Sequence, residues 1–218
     1  MNVMTVDGKR RALVIGSQCE ALWHLDCISL ADELYSLLID PTCGGCSPAL
    51  DDGIGLLSNP TVDETYDSLE RAVRRANNEE ATLIICYLGH GDAVAKEFYL
   101  LPFNAVCPPN FRRAVDITKQ IKDLLNSYQQ LDGLILLVDS CASGEAAVQG
   151  AAVWSEILNR TRGRLELVTA ADGRDAFDGC FTRTVIRLLQ QGNPAGAAFL
   201  YGADAQREAI TSCPNQVS

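Results

Sequence analysis

Three short, almost purely apolar runs set the limits on how this chain can fold: Ala12–Ile15 (ALVI), Thr82–Leu88 (TLIICYL) and Leu134–Val138 (LILLV). None alternates apolar with polar residues as a half-exposed strand does, so each is predicted to be a strand buried on both faces. Leu165–Thr169 reads as a fourth strand and Phe98–Leu101 as a short one. Amphipathic helical patterns lie between them. Leu30, Leu34, Leu37 and Leu38 recur at helical spacing up to Asp40-Pro41. Behind a cap at Thr61 or Asp63, Tyr66, Leu69 and Val73 share a face opposite Arg71, Arg74 and Arg75. Ile117, Ile121, Leu124 and Leu125 face inward in a helix over Asp116–Tyr128, and helices are predicted over Ala146–Leu158 and Phe181–Gln190. The Ala/Gly-rich C-terminal stretch is read as irregular. This alternation predicts an α/β fold: a mostly parallel central sheet with helices on both faces. With no repeat and no linker, residues 1–218 are read as a single domain.

Two of the strand ends carry chemistry. His90, one of two histidines, follows TLIICYL and is flanked by Gly89 and Gly91. Cys141 follows LILLV in the sequence Asp139-Ser-Cys-Ala-Ser-Gly144. Ligands and chemistry gather beyond the carboxyl ends of parallel strands, so both residues are expected at one edge of the sheet. A thiol needs a base or an ion-pair partner to react as thiolate near neutral pH, and imidazole suits that role. The amides of Gly91 and Cys141 are candidates for an oxyanion hole. On residue types alone, two plainer readings stand beside this one: His90 as a surface-loop histidine and Cys141 as a buried structural thiol.

The same residues resemble the caspase-like cysteine peptidases, the clan of caspases and metacaspases, and within it the bacterial subgroup. Tyr87-Leu-Gly-His90-Gly91 looks like the clan's histidine motif, and Asp139-Ser-Cys141-Ala-Ser-Gly144 like the metacaspase form of its cysteine motif. Ala12-Leu-Val-Ile-Gly16 and Asp40-Pro41 with Gly44-Gly45 fit as well. In caspases the histidine precedes the cysteine by about 50 residues; here the interval is 51. The resemblance covers most of the chain. It implies a caspase-like three-layer sandwich and a cysteine endopeptidase acting on protein or peptide substrates. His90 would be acid/base and Cys141 nucleophile, with the oxyanion hole at Gly91 and Cys141. The aspartate matching Asp139 lines the metacaspase S1 pocket and selects Arg or Lys at P1. Ala176-Phe177-Asp178 stands where caspases carry Ser-Trp-Arg, which disfavours an acidic P1. Cys27 matches a pocket cysteine, but the acidic residue three positions on is here Leu30, with Asp26 and Asp32 as substitutes. The alternative is a catalytically silent scaffold or interaction module of the same fold.

The net charge of −10 argues against a nucleic-acid partner. No apolar run approaches the ~20 residues of a membrane span, and the polar N-terminus carries no secretory pattern, so a cytoplasmic protein is expected. Nine cysteines without such a signal are read as free thiols. Cys43-Gly-Gly-Cys46 is read as a turn and Cys86 as core. No cofactor or metal is expected, Asp172–Asp178 being read as a solvated loop in place of a calcium site. A doubly wound nucleotide-binding domain is disfavoured because Gly16-Ser-Gln-Cys19 lacks the phosphate fingerprint. Arg160, Arg162 and Arg164 are read first as a polar helix end, and second as an interval where a protease selecting basic P1 would cut itself. A regulatory domain or companion protein is the expected partner.

Overall fold

The computed structural model describes residues 9–94, 97–110, 112–140, 152, 154–158, 164–169, 179–192 and 202–213. The elements run β1 (Arg10–Ser17), α1 (Cys27–Ile39), β2 (Ser47–Pro48), β3 (Leu56–Ser58), α2 (Val62–Asn78), β4 (Thr82–Val94), β5 (Glu97–Leu101), β6 (Val115–Asp116), α3 (Ile117–Ser127) and β7 (Gly133–Asp139). Helical residues 154–158 (α4) follow, then β8 (Arg164–Thr169), α5 (Cys180–Gln191) and α6 (Gly202–Ser212).

The predicted apolar runs form the centre of an eight-stranded, mostly parallel sheet. β1, β4, β7 and β8 lie side by side and parallel, with Val14 opposite Cys86, Ile85 opposite Leu136 and Leu136 opposite Leu167. β2 and β3 also pair β1 in parallel. Because successive strand residues point to opposite faces, the sheet feeds two cores. Leu13, Ile15, Leu83, Ile85, Leu134 and Leu136 pack under α2, α3 and Trp154. Ala12, Val14, Ile84, Cys86 and Leu88 pack under α1, α5 and α6. Helices thus cover both faces, as the run pattern predicts.

Local signals set the helix ends. Thr61 and Glu64 form a reciprocal capping box at the start of α2: Thr61 Oγ1 accepts from the Glu64 amide at 3.2 Å, and Glu64 Oε2 accepts from the Thr61 amide at 2.7 Å. Asp116 caps α3 by accepting from the Lys119 amide at 2.9 Å. After α1 the Cys43-Gly-Gly-Cys46 turn needs its glycines: a Cβ on Gly44 would lie 2.3 Å from Leu38 O, and Gly45 has φ +59°. Cys43 and Cys46 are both free.

Three expectations are corrected. β4 runs past Leu88 to Val94, its far end pairing antiparallel with β5, so His90 lies within a strand instead of following one. The C-terminal stretch is helical over Gly202–Ser212. Cys180 and Cys213 are not free thiols but are disulfide-bonded, with their Cα atoms 5.9 Å apart. The antiparallel packing of α5 and α6, held also by Arg187–Glu208 at 2.8 Å, brings together cysteines that are 33 residues apart in the chain.

The disulfide restrains the unfolded chain, so Cys213→Ser should lower the free energy of unfolding by about 2–4 kcal/mol. Urea denaturation without reductant reads the difference, and reducing both proteins should close it.

Candidate active site

His90 owes its position to a change of partner along β4. Up to Gly89 the strand lies parallel between β1 and β7; from His90 onward it pairs antiparallel with β5, His90 opposite Leu101 and Gly91 opposite Leu100. The flanking glycines are steric requirements. A Cβ on Gly89 would lie 2.3 Å from Ser17 O, and one on Gly91 would lie 2.7 Å from Ser140 Oγ and 2.8 Å from Phe98 Cζ. Tyr87 fixes the bend by donating its hydroxyl to His90 O at 2.9 Å. Burial pushes the Tyr87 phenol far up, so it remains a donor.

The imidazole is buried, 2% exposed. Its Nε2 lies 2.8 Å from Trp23 O. The Trp23 carbonyl can only accept, which decides the tautomer, and the bonds of Gln18 agree with it. Its Oε1 accepts from the Leu25 amide at 2.6 Å, and its Nε2 donates to Trp23 O at 2.7 Å and Cys19 O at 3.1 Å. With both amide protons of Gln18 committed, the 3.4 Å approach of its Nε2 to His90 is no hydrogen bond. His90 Nε2 therefore carries a proton and donates it to Trp23 O, leaving Nδ1 as the basic nitrogen. Burial pulls the His90 pKa below its ordinary value, and the Trp23 carbonyl partly offsets this.

β7 ends beside this histidine. Leu88 pairs Asp139, the last residue of β7. The next residue, Ser140, is buried and sends its Oγ to the space that Gly91 leaves open. Cys141 itself lies outside the described residues. The hydroxyls of Ser17 and Ser140 are buried with no hydrogen-bond partner among the described residues.

The residues expected in S1 fall in different settings. Asp139 is buried, 2% exposed. Its Oδ2 accepts from the Thr182 amide at 3.0 Å and from Thr182 Oγ1 at 2.5 Å. Thr182 is the third residue of α5, whose N-cap Gly179 offers no side chain, so Asp139 caps that helix from another element. The cavity beside it, lined by Leu34, Cys86, Leu88, Phe181 and Val185, holds only about 10 Å³ and has no room for a guanidinium. Cys27 opens α1, fully buried, and burial pushes its thiol up to about 11. Leu30 is buried in the core under α1, while Asp26 and Asp32 are exposed. Asp178, Arg160 and Arg162 lie outside the described residues, as does the whole of Asp172–Asp178; Arg164 opens β8.

Burial also raises the thiols of Cys19, Cys46, Cys86 and Cys107. A raised thiol holds its proton and is a poor nucleophile. Gln18, Trp23 and Thr182 are the site residues that sequence reasoning missed. The available signal was a polar residue and an exposed-type aromatic in the loop directly after β1, at the same sheet edge.

The folded chain binds a proton at His90 less readily than the unfolded chain does. The stability it contributes is full above the unfolded value near 6.5 and is lost as pH falls toward the lowered folded one. Between about pH 8 and about pH 5, His90→Gln should therefore lose less stability than wild type, as read by urea midpoints; an equal loss would mean His90 is not desolvated. No family model matches the chain, and no curated protein matches it.

Proposed function

We propose that the chain is a caspase-like cysteine endopeptidase, its α/β sandwich forming one peptidase domain, with His90 as acid/base and Cys141 as nucleophile. One observation carries the reading: β7 ends opposite Leu88 of β4, two residues before His90, and the Oγ of Ser140, the residue that leads into Cys141, packs against Gly91, the residue after His90.

The chemistry follows from the tautomer. Nδ1 takes the Cys141 thiol proton, and the imidazolium is supported by the Nε2–H bond to Trp23 O. The thiolate attacks the scissile carbonyl, and the oxyanion is received by the amides of Gly91 and Cys141. When the C–N bond breaks, the imidazolium proton passes from Nδ1 to the leaving amine, leaving a thioester on Cys141. Nδ1 then takes a proton from water, the hydroxide attacks the thioester, and acid product and thiol are released. A histidine whose pKa is lowered is neutral at pH 7 and ready to act as the first base.

Arg or Lys at P1, with Asp139, Cys27 and Asp178 around it, rests on the resemblance. Asp139 already serves as a helix cap, so any selection of a cation by this carboxylate is added to that role. The reading includes control by a regulatory domain or companion protein and a cytoplasmic setting. No helix among the described residues is long and apolar enough to cross a membrane. The Cys180–Cys213 disulfide counts against the cytoplasmic part of this reading, since cytosolic thiols are kept reduced.

A peptide library cleaved by wild type should lose turnover by about a thousandfold or more in Cys141→Ala and in His90→Ala. Turnover that Cys141→Ala leaves intact, or none at all under any activating condition tried, favours the silent scaffold. Asp139→Ala and Thr182→Val separate the two roles of the carboxylate. Asp139→Ala removes the cap, whereas Thr182→Val only weakens it, losing the hydroxyl bond and keeping the amide one; only Asp139→Ala should weaken Arg/Lys peptides selectively, and an equal loss on all peptides in that variant retires the P1 assignment.

A further inference from the structure

Trp23 is the most exposed large apolar side chain among the described residues, 58% exposed. It lies beside one of the most buried polar ones. Its ring centroid is 5.0 Å from that of His90, edge to face at 87°. Its backbone is not loose. Trp23 O takes the bonds from His90 Nε2 and Gln18 Nε2, and Gln18 Oε1 holds Leu25 two residues on. The loop is tied further to its surroundings through Gln18 N to Asn59 Oδ1 at 2.8 Å and Glu20 N to Phe103 O at 2.8 Å. A pinned backbone that holds an indole in water gives up the apolar burial the ring would otherwise gain. A substrate side chain recovers it.

The reaction says which side chain. The imidazolium protonates the leaving amine, so that nitrogen must come within hydrogen-bond reach of His90. The residue that carries it, directly after the scissile bond, passes along the groups that flank the imidazole. Trp23 is such a group.

We propose that the Trp23 indole is a specificity residue for the leaving side of the scissile bond and takes a large apolar side chain at the first position after the cut. The inference rests on the peptidase reading. It assigns this role to the side chain, while the backbone carbonyl of the same residue orients His90, so substitution of the ring keeps the carbonyl in place.

The test uses two peptides that differ only after the scissile bond, Leu in one and Gly in the other. In wild type the kcat/KM ratio of Leu to Gly should be about tenfold, fall close to one in Trp23→Ala, and recover largely in Trp23→Phe. The same two peptides are titrated into Cys141→Ala and into Cys141→Ala with Trp23→Phe, and the difference in indole emission isolates Trp23 from the buried Trp154. The Leu peptide should shift the emission to the blue and bind several-fold tighter than the Gly peptide. Cys141-dependent cleavage with a ratio that ignores Trp23 overturns the inference and leaves the peptidase reading standing. Discrimination in binding without any Cys141-dependent cleavage overturns the peptidase reading and leaves an apolar subsite at Trp23. Neither cleavage nor discrimination overturns both.

Discussion

The rest of the structure depends on one strand changing partners. β4 spans the middle of the parallel sheet and, without leaving the extended conformation, becomes one arm of an antiparallel pair with β5. Buried backbone amides and carbonyls must stay paired through the change, so the chains that converge there approach closely. Ser17 O from β1 and Ser140 Oγ after β7 occupy the places where Cβ atoms at 89 and 91 would be. Glycine on both sides of His90 is thus a packing condition of the fold. The same condition lets the residue after β7, Ser140, pack against Gly91, the neighbour of the histidine. Geometry that a site would need is already required by the sheet.

Burying a histidine is costly unless its ring nitrogens are partnered. Here one carbonyl, Trp23 O, takes both the imidazole and the Gln18 amide, and the Gln18 carbonyl anchors the loop that presents it. Desolvation lowers the basicity of the ring while the carbonyl steadies its protonated form, and burial is the larger effect. The result is a base that is neutral at rest and still able to hold a proton briefly. The raised thiols of Cys27 and Cys86, buried in apolar surroundings, show the opposite outcome: environments that keep a group inert.

Much of the architecture was legible in the sequence because it rests on local periodicity. Leu83–Leu88 and Leu134–Val138 are apolar throughout because both sheet faces are covered, and Thr61 with Glu64 announces α2 by chemistry confined to four residues. β2 and β3 escaped because two or three residues that borrow pairing from β1 carry no period of their own. α6 and the Cys180–Cys213 bridge escaped because they depend on contacts across 33 residues, whereas the expectation of free thiols used only composition and the N-terminus. At the site, His90 was legible from its glycines. Gln18 and Trp23 were not, since a loop that orders itself around a buried ring has no repeating pattern to betray it.

The setting of Asp139 changes what the acidic character of the chain explains. Its carboxylate meets the amide and hydroxyl of Thr182 at the first turn of α5, where unpaired helix amides favour negative charge. Two residues earlier, Cys180 ties that turn to the end of α6. The end of β7, the start of α5 and the end of α6 therefore act as one braced unit, and Asp139 is the contact that passes it to Ser140. A substrate cation that used Asp139 would compete with donors that are already in place and already desolvated. Such donors lose no further solvation on binding, whereas an arriving guanidinium must shed its own. The charge of −10 spread over the surface is screened within roughly 10 Å at moderate salt. Such a field would assist the approach of a basic partner more than its selection. If the chain is the peptidase proposed above, selection at this sheet edge falls to groups that still have free surface to offer, and among the described residues next to His90 that group is the indole of Trp23.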